Sequence, residues 1–150
     1  MAMRWRYVIL TFAAIVLIGG AWTFVAARTD CAAVTGTDFV TLSLARLARG
    51  DARIFCYTDD AGQRLRFVLA RGQDGQVRSV FDACRQCFTY HRGFKIDHGD
   101  LVCRVCGNRY PMNQITQGKA SCVPVSLVHE QVGDSVRIRV PDIKSGKALF

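Results

Sequence analysis

The strongest constraint on this sequence is a repeated pair of cysteines. Cys84 and Cys87 are separated by two residues, as are Cys103 and Cys106, and fifteen residues lie between the pairs. This spacing, C-x2-C-x15-C-x2-C, is typical of sites in which four thiolates surround one metal ion. Each short spacing predicts a tight turn that points both sulfurs the same way, so two facing turns supply a tetrahedral ligand set. We therefore expect these four cysteines to hold a metal centre.

The cysteine spacing leaves the identity of the metal open. Thiolates are soft ligands that select zinc, iron or an iron–sulfur cluster. Zinc would be structural, because four thiolates leave no open position, whereas iron would make the same cage an electron carrier. Residues 103–110, CRVCGNRY, resemble the metal-binding knuckle of zinc ribbons and rubredoxins, with a glycine behind the second cysteine and an aromatic residue beyond it.

Two other interpretations of the paired cysteines are open. In an oxidising compartment they could form disulfides, although seven cysteines cannot all pair within one chain. A single C-x-x-C near a β-α-β pattern would indicate thiol–disulfide exchange, but here two such motifs lie among predicted strands.

The remaining three cysteines lie outside the two pairs. Cys122 is a candidate fifth ligand, extra or alternative to the four, or else a small buried thiol. We expect Cys31 and Cys56 not to be ligands, since one lies near a predicted membrane segment and the other in a predicted strand. They could form a disulfide with each other.

Several side chains near the paired cysteines have predicted roles. His91 and His98 lie in the loop between the pairs, where a surface position is the default and binding of a second ion, or tuning of the first, is the alternative. Tyr90, Phe94 and Tyr110 are expected to form an apolar wall that keeps water from the metal.

An apolar N-terminal stretch predicts a membrane segment. Tyr7 to Ala27 carry no charge and, as a helix, would span roughly 30 Å, the thickness of a bilayer core. A cleaved signal peptide is the alternative, with Val25-Ala26-Ala27 as the cleavage site. Arg4 and Arg6 precede the stretch, and positive charge stays cytoplasmic, so either interpretation places the following domain outside the cytoplasm.

The rest of the chain is rich in strand signals. Residues 53–58, 65–69 and 77–81 predict a β-meander that leads into the first cysteine pair, and residues 125–131 and 135–140 predict a final hairpin around the turn Gly133-Asp134. Residues 38–49 predict a strand that runs into a helical turn. The predicted fold is mainly β, a meander with a rubredoxin-like or zinc-ribbon-like knuckle pair, plus one N-terminal transmembrane helix. Its divisions are an anchor at 1–28, a linker at 29–37 and an extracytoplasmic metal-binding β domain at 38–150.

Seven ordered features make the sequence similar to a known family, the FtrD-like membrane iron–sulfur proteins. These features are DARIF at 51–55, LRF at 65–67, FDACRQC at 81–87, GF at 93–94, GD at 99–100, CRVCG with Tyr110-Pro111 at 103–111, and CVP at 122–124 before Leu127. The resemblance implies an iron or iron–sulfur role in the membrane, tied to iron transport. The sequence departs from the family pattern around Cys122, where Ala120, Ser121, Val123 and Ser126 replace two glycines, an asparagine and a proline.

Together these features predict a single-pass protein of the bacterial inner membrane with its C-terminal domain on the periplasmic side. We expect an electron carrier or accessory subunit, with a membrane-transport or redox protein as its partner, rather than an enzyme. The alternatives are a structural zinc ribbon that binds a membrane partner such as an ABC permease, and a thiol oxidoreductase. The net charge of +8 is scattered rather than gathered into a basic stripe, so no nucleic-acid partner is expected.

Overall fold

The protein is built around one central β-sheet that is covered on both faces. The computed structural model describes residues 30–117 and 122–150. The predicted anchor, residues 1–28, lies outside the described residues. Within the described ranges, no helix is long and apolar enough to cross a membrane.

Short strands make up most of the described chain. The strands are β1 (Ala32–Val34), β2 (Phe39–Ser43), β3 (Asp51–Thr58), β4 (Arg64–Arg71), β5 (Val77–Cys84), β6 (Phe94–Asp97), β7 (Asp100–Cys103), β8 (Arg109–Pro111), β9 (Pro124–Ser126), β10 (Glu130–Val132) and β11 (Ser135–Arg139). One short helix, α1 (Val140–Lys144), and three 3₁₀ helices (Leu44–Arg46, Phe88–Tyr90 and Lys147–Leu149) complete the described elements.

The strands form three sheets. The central sheet has five strands in the order β1-β3-β4-β5-β9, and the two smaller sheets have the orders β10-β11-β2 and β6-β7-β8. Strand β1 runs parallel to β3, and every other described pairing is antiparallel. The segment predicted as a linker therefore contributes a strand to the central sheet.

The two faces of the central sheet contact two different apolar cores. Side chains alternate along a strand, so on β5 Phe81 packs into the first core while Val80 and Cys84 pack into the second. The first core also receives the β10-β11-β2 sheet and α1. The second core contains the cysteine cluster and the β6-β7-β8 sheet. Because both faces are covered, β4 is buried from Phe67 to Ala70 instead of alternating between buried and exposed.

The prediction of a mainly β fold is confirmed. The meander appears as β3, β4 and β5, and the strand with its helical turn appears as β2 and the 3₁₀ helix Leu44–Arg46. The single strand predicted over residues 125–131 is wrong. Leu127 donates its backbone N–H to Ser79 on β5, and the chain then leaves the central sheet, so β9 and β10 belong to different sheets.

Candidate metal centre

The first cysteine pair lies where β5 leaves the central sheet. Cys84 is the last residue of β5, and the backbone N–H of Cys87 donates to the carbonyl of Cys84 at 3.1 Å, which closes a tight turn. The chain continues into the 3₁₀ helix Phe88–Tyr90, which ends at His91 in the left-handed region with φ 50°. This turn leaves Cys84 and Cys87 both buried.

The second pair follows β7 in the smaller sheet. Gly107 has φ +73° and donates its N–H to the carbonyl of Cys103 at 3.0 Å, a conformation that favours glycine at this position of the turn. The backbone N–H of Arg104 donates to the carbonyl of Gly93 at 3.0 Å. That hydrogen bond joins the segment after the first turn to the second turn, so the two turns face each other.

All five predicted ligand residues come together. The sulfurs of Cys84, Cys87, Cys103 and Cys122 all lie within 4.8 Å of one another. Cys106 reaches this group through Cys122, whose sulfur lies 2.9 Å from that of Cys106 and 2.8 Å from that of Cys84. Cys106 is exposed, whereas the other four are buried, and none of the five is in a disulfide.

Cys122, whose role the sequence left open, is held inside the cluster by its backbone. Its carbonyl accepts a hydrogen bond from the hydroxyl of Tyr110, which is itself buried. The next carbonyl, that of Val123, accepts the N–H of Arg85 at 2.8 Å. Through these bonds the chain after the second turn is fixed against the first turn, despite the departures from the family pattern on both sides of Cys122.

The five thiols fit a soft metal ion. Metal–sulfur bonds of about 2.3 Å in a tetrahedral site place the sulfurs about 3.8 Å apart, and the four buried sulfurs lie within 4.8 Å of one another. Four cysteine thiolates also hold iron–sulfur clusters, so the donor set suits zinc, iron or a cluster. The described site has more sulfur donors than a tetrahedral ion needs.

The surroundings of three of the buried thiols disfavour their ionised form when no metal is bound. Burial and the neighbouring thiols of Cys84 and Cys103 raise the pKa of Cys87 to about 12. Burial is also the main cause of the raised pKa values of Cys103 and Cys122. At Cys106 burial opposes ionisation, but hydrogen bonds with Cys122 and the backbone of Asn108 outweigh it and lower the pKa. A bound cation would therefore oppose the effect of burial and favour the thiolate forms of Cys87, Cys103 and Cys122.

A buried carboxylate that we did not predict as a site residue supports the first turn. Asp82 lies two residues before Cys84 on the same face of β5, and its side chain is 1% exposed. It accepts the N–H of Phe94 at 2.6 Å and lies 2.8 Å from Nε of Arg66. Burial outweighs the attraction of Arg66 and raises the pKa of Asp82 to about 6. A charged residue within the otherwise apolar end of β5 was the sequence signal for this group.

Asp82 and three of the clustered cysteines line one small cavity. Its volume is about 30 Å³, enough for a water molecule, and its wall includes Cys84, Cys87 and Cys103 as well as Arg66 and Asp82. His91 also lines this cavity, so of the two loop histidines it is the one beside the centre. The side chain of His98 is 91% exposed, and its Nδ1 lies 2.7 Å from Asp97.

The predicted aromatic wall is correct for two of its three residues. Phe94 and Tyr110 are buried in the cysteine core with their rings edge to face and 6.2 Å between centroids. Tyr90 is 66% exposed, so its assignment to the wall is wrong. The 3₁₀ turn after Cys87 directs this ring away from the core.

Cys31 and Cys56 form a disulfide, with 5.7 Å between their Cα atoms. The bond joins the residue before β1 to β3, beside the register pair Ala33 and Cys56. This pairing accounts for the two cysteines outside the cluster and confirms the disulfide that the sequence allowed.

The match to a known protein family covers the whole cysteine cluster. The family described as membrane iron-sulfur containing protein FtrD-like matches residues 47–150, which include all five clustered cysteines and most of the described strands. No curated protein and no solved structure shows a match to this chain. Because the matched region covers more than half of the sequence, the chain belongs to the FtrD-like family of membrane iron-sulfur containing proteins.

Proposed function

We propose that this protein is a membrane-anchored iron or iron–sulfur electron carrier that serves an iron-transport system. One observation carries the proposal: five unpaired cysteines converge, and four of their sulfurs lie within 4.8 Å of one another. A bound iron centre would supply one-electron chemistry, with a potential set by charge, burial and hydrogen bonds to sulfur. The chain's own residues supply the thiolates and keep four of them away from bulk solvent.

Three ligands are shared by the ligand set that contains Cys106 and the one that contains Cys122. Cys84, Cys87 and Cys103 are buried and lie at the ends of strands or in the turn that follows. We propose Cys122 as the fourth ligand, since its sulfur belongs to the compact buried set, and Cys106 as the ligand at the solvent edge. Cys106→Ser should then lower metal content less than Cys122→Ser does. The reverse ranking would support the sequence-based cage with Cys106 instead.

The disulfide supports an extracytoplasmic position for the described domain. Disulfides persist in oxidising compartments and are rare in the cytosol. Here Cys31 and Cys56 are joined while five cysteines in the same domain are not. Metal binding would protect those five from oxidation. We propose a single-pass protein of the inner membrane with residues 38–150 in the periplasm, next to a transport or redox protein partner.

The central experiment is metal analysis of the full chain, purified anaerobically in mild detergent, together with absorbance and electron paramagnetic resonance spectra. We expect iron, visible absorbance and a paramagnetic signal in one oxidation state. Cys84→Ser should remove them, whereas the matched double variant Cys31→Ser/Cys56→Ser should retain them, because that pair lies outside the cluster. A colourless protein that also stays colourless after iron reconstitution would refute the proposal.

A structural zinc site is the second candidate, favoured by the compact sulfur spacing. Four sulfurs within 4.8 Å suit one tetrahedral ion directly. In that case the metal contributes folding free energy and the domain serves as a partner-binding module without a redox couple. Stoichiometric zinc, with loss of folded structure on chelation and no voltammetric wave, would identify this alternative.

A further inference from the structure

Three arginines surround the cysteine cluster and have no carboxylate partner among the described residues. Arg85, Arg92 and Arg104 are all exposed, and none forms an ion pair with an acid that the structure describes. Residues 83–96 and 101–117 contain no aspartate or glutamate. We call Arg85, Arg92 and Arg104 the basic collar.

The backbone places each member of the collar beside the cysteine cluster. Arg85 follows Cys84, and its N–H bonds to the carbonyl that follows Cys122. Arg92 lines the cavity whose wall includes Cys84, Cys87 and Cys103. The collar is completed by Arg104, which follows Cys103 and donates its Nε–H to the carbonyl of Phe94 at 2.9 Å.

Acids near the cluster are already paired elsewhere. In the hairpin of β6 and β7, Arg109 binds Asp97 at 2.8 Å and Asp100 at 3.0 Å. The nearest buried acid, Asp82, lies against Arg66. The collar therefore has no ion-pair partner among the described carboxylates, and within the collar Asp82 attracts only the charge of Arg104. The thiolates of a loaded centre would offset part of its positive charge.

The one exposed thiol among the five clustered cysteines lies on the same turn as Arg104, two residues further along the chain. Cys106 is exposed and its sulfur lies 2.9 Å from that of Cys122, so it connects the buried sulfurs to the surface. Tyr90, on the first turn, is 66% exposed and offers an aromatic contact of the kind enriched at protein interfaces. The two turns that hold the cluster thus carry an exposed thiol, an exposed aromatic ring and three exposed arginines.

We propose that the basic collar is the docking surface for an electron-transfer protein with an acidic contact face, and that electrons pass through the Cys106 edge. This inference rests on the redox function proposed above. In the step itself one electron leaves the reduced centre and reduces the partner, and no bond forms or breaks. Complementary charge steers such encounters and raises association rates by about 10- to 1,000-fold at low salt.

The test uses two trivalent probes of opposite charge. The second-order rate of oxidation of the reduced protein by hexacyanoferrate(III) is compared with that by hexaammineruthenium(III), for the wild type and for Arg85→Glu/Arg92→Glu. Arg46→Glu/Arg53→Glu is the charge-matched control. Both arginines line a cleft beside Phe55 and Leu69, which pack into the first core, on the face of the central sheet opposite the cysteine cluster. Arg104 stays unchanged, since its hydrogen bond to Phe94 is structural.

We expect the collar variant to lower the hexacyanoferrate(III) rate by about tenfold or more at low ionic strength and to raise the hexaammineruthenium(III) rate. At 1 M salt, where charges are screened beyond about 3 Å, the differences should disappear. The control variant should change both rates much less. Equal effects of the two variants, or a shifted reduction potential with unchanged probe selectivity, would overturn the docking proposal and leave the redox function intact.

A redox-inert anion gives a second readout. Hexacyanocobaltate(III) should shift the amide resonances of both cysteine turns in zinc-loaded protein, and the collar variant should abolish those shifts. Absence of any shift in the wild type would count against an anionic partner. If the native protein has no redox couple at all, the proposed function fails and the electron-transfer partner fails with it.

Discussion

Replacement of Asp82 by asparagine should remove a pH dependence from the stability of this protein. Asp82→Asn keeps an oxygen that can accept the N–H of Phe94, which Asp82 binds at 2.6 Å, but it removes the buried charge. Although Arg66 lies 2.8 Å away, burial of the carboxylate is the larger effect and the pKa of Asp82 rises from 3.8 to about 6. A buried ion pair of this kind does not recover its desolvation cost.

The sign and size of the effect follow from proton linkage. Because the folded pKa of Asp82 is about 6 and the ordinary value is 3.8, the folded state binds the proton more tightly. The resulting stabilisation is complete below pH 3.8 and is lost as the pH rises through 6. Between pH 5 and pH 7.5 the contribution of this group to the free energy of unfolding should fall by about 1.4 kcal/mol. This is the value of one pKa unit, because pH 5 lies about one unit below the folded pKa. Thiolates of a loaded centre are negative and would act in the same direction.

The assay is urea or thermal unfolding of the metal-loaded full chain in detergent at pH 5, 6 and 7.5. The free energy of unfolding of the wild type minus that of Asp82→Asn should decrease by about 1.4 kcal/mol over this range. Asp97→Asn is the control, since hydrogen bonds from Arg109 and His98 lower the pKa of that carboxyl to about 2, below the range tested. A difference that stays constant with pH, or that grows as the pH rises, would refute the argument.

Three further predictions concern the scaffold around the centre. Tyr110→Phe leaves the buried carbonyl of Cys122 unpaired and should cost about 1–3 kcal/mol in unfolding experiments, while lowering metal content less than Cys122→Ser does. Gly93→Ala introduces a Cβ 2.6 Å from a carboxylate oxygen of the buried Asp82, at a φ of +61°. The melting temperature of this variant should fall well below that of a variant with alanine at a positive-φ glycine whose added Cβ meets no other atom. Cys31→Ser/Cys56→Ser opens a link spanning 25 residues and should lower the free energy of unfolding by about 3.5 kcal/mol without loss of metal.

Much of the fold was predictable because its signals are local. Strand-rich runs predicted the meander of β3, β4 and β5. The two knuckle turns followed from the cysteine spacing alone, since two residues between thiols define the turn. These features depend on neighbours within about ten residues of the chain.

Other features depend on contacts that local sequence does not encode. The parallel pairing of β1 with β3 is fixed together with a disulfide between residues 25 apart. Cys122 enters the cluster because its carbonyl binds the Tyr110 hydroxyl and the next carbonyl binds Arg85. For the same reason the exposure of Tyr90 was missed, since an aromatic residue near cysteines looks apolar in sequence whichever way its turn directs it.

The alternation of β5 between the two cores has a consequence for the precision of the site. A slip of one residue against β4 would move Cys84 to the opposite face and withdraw Phe81 from its place against the ring of Phe150. The packing of Phe81 against Phe150 on one face of the sheet thus helps to fix the register that places the sulfur of Cys84 on the other face. Substitutions at Phe150, more than sixty residues along the chain from Cys84, should therefore alter the position of Cys84 where the metal would bind.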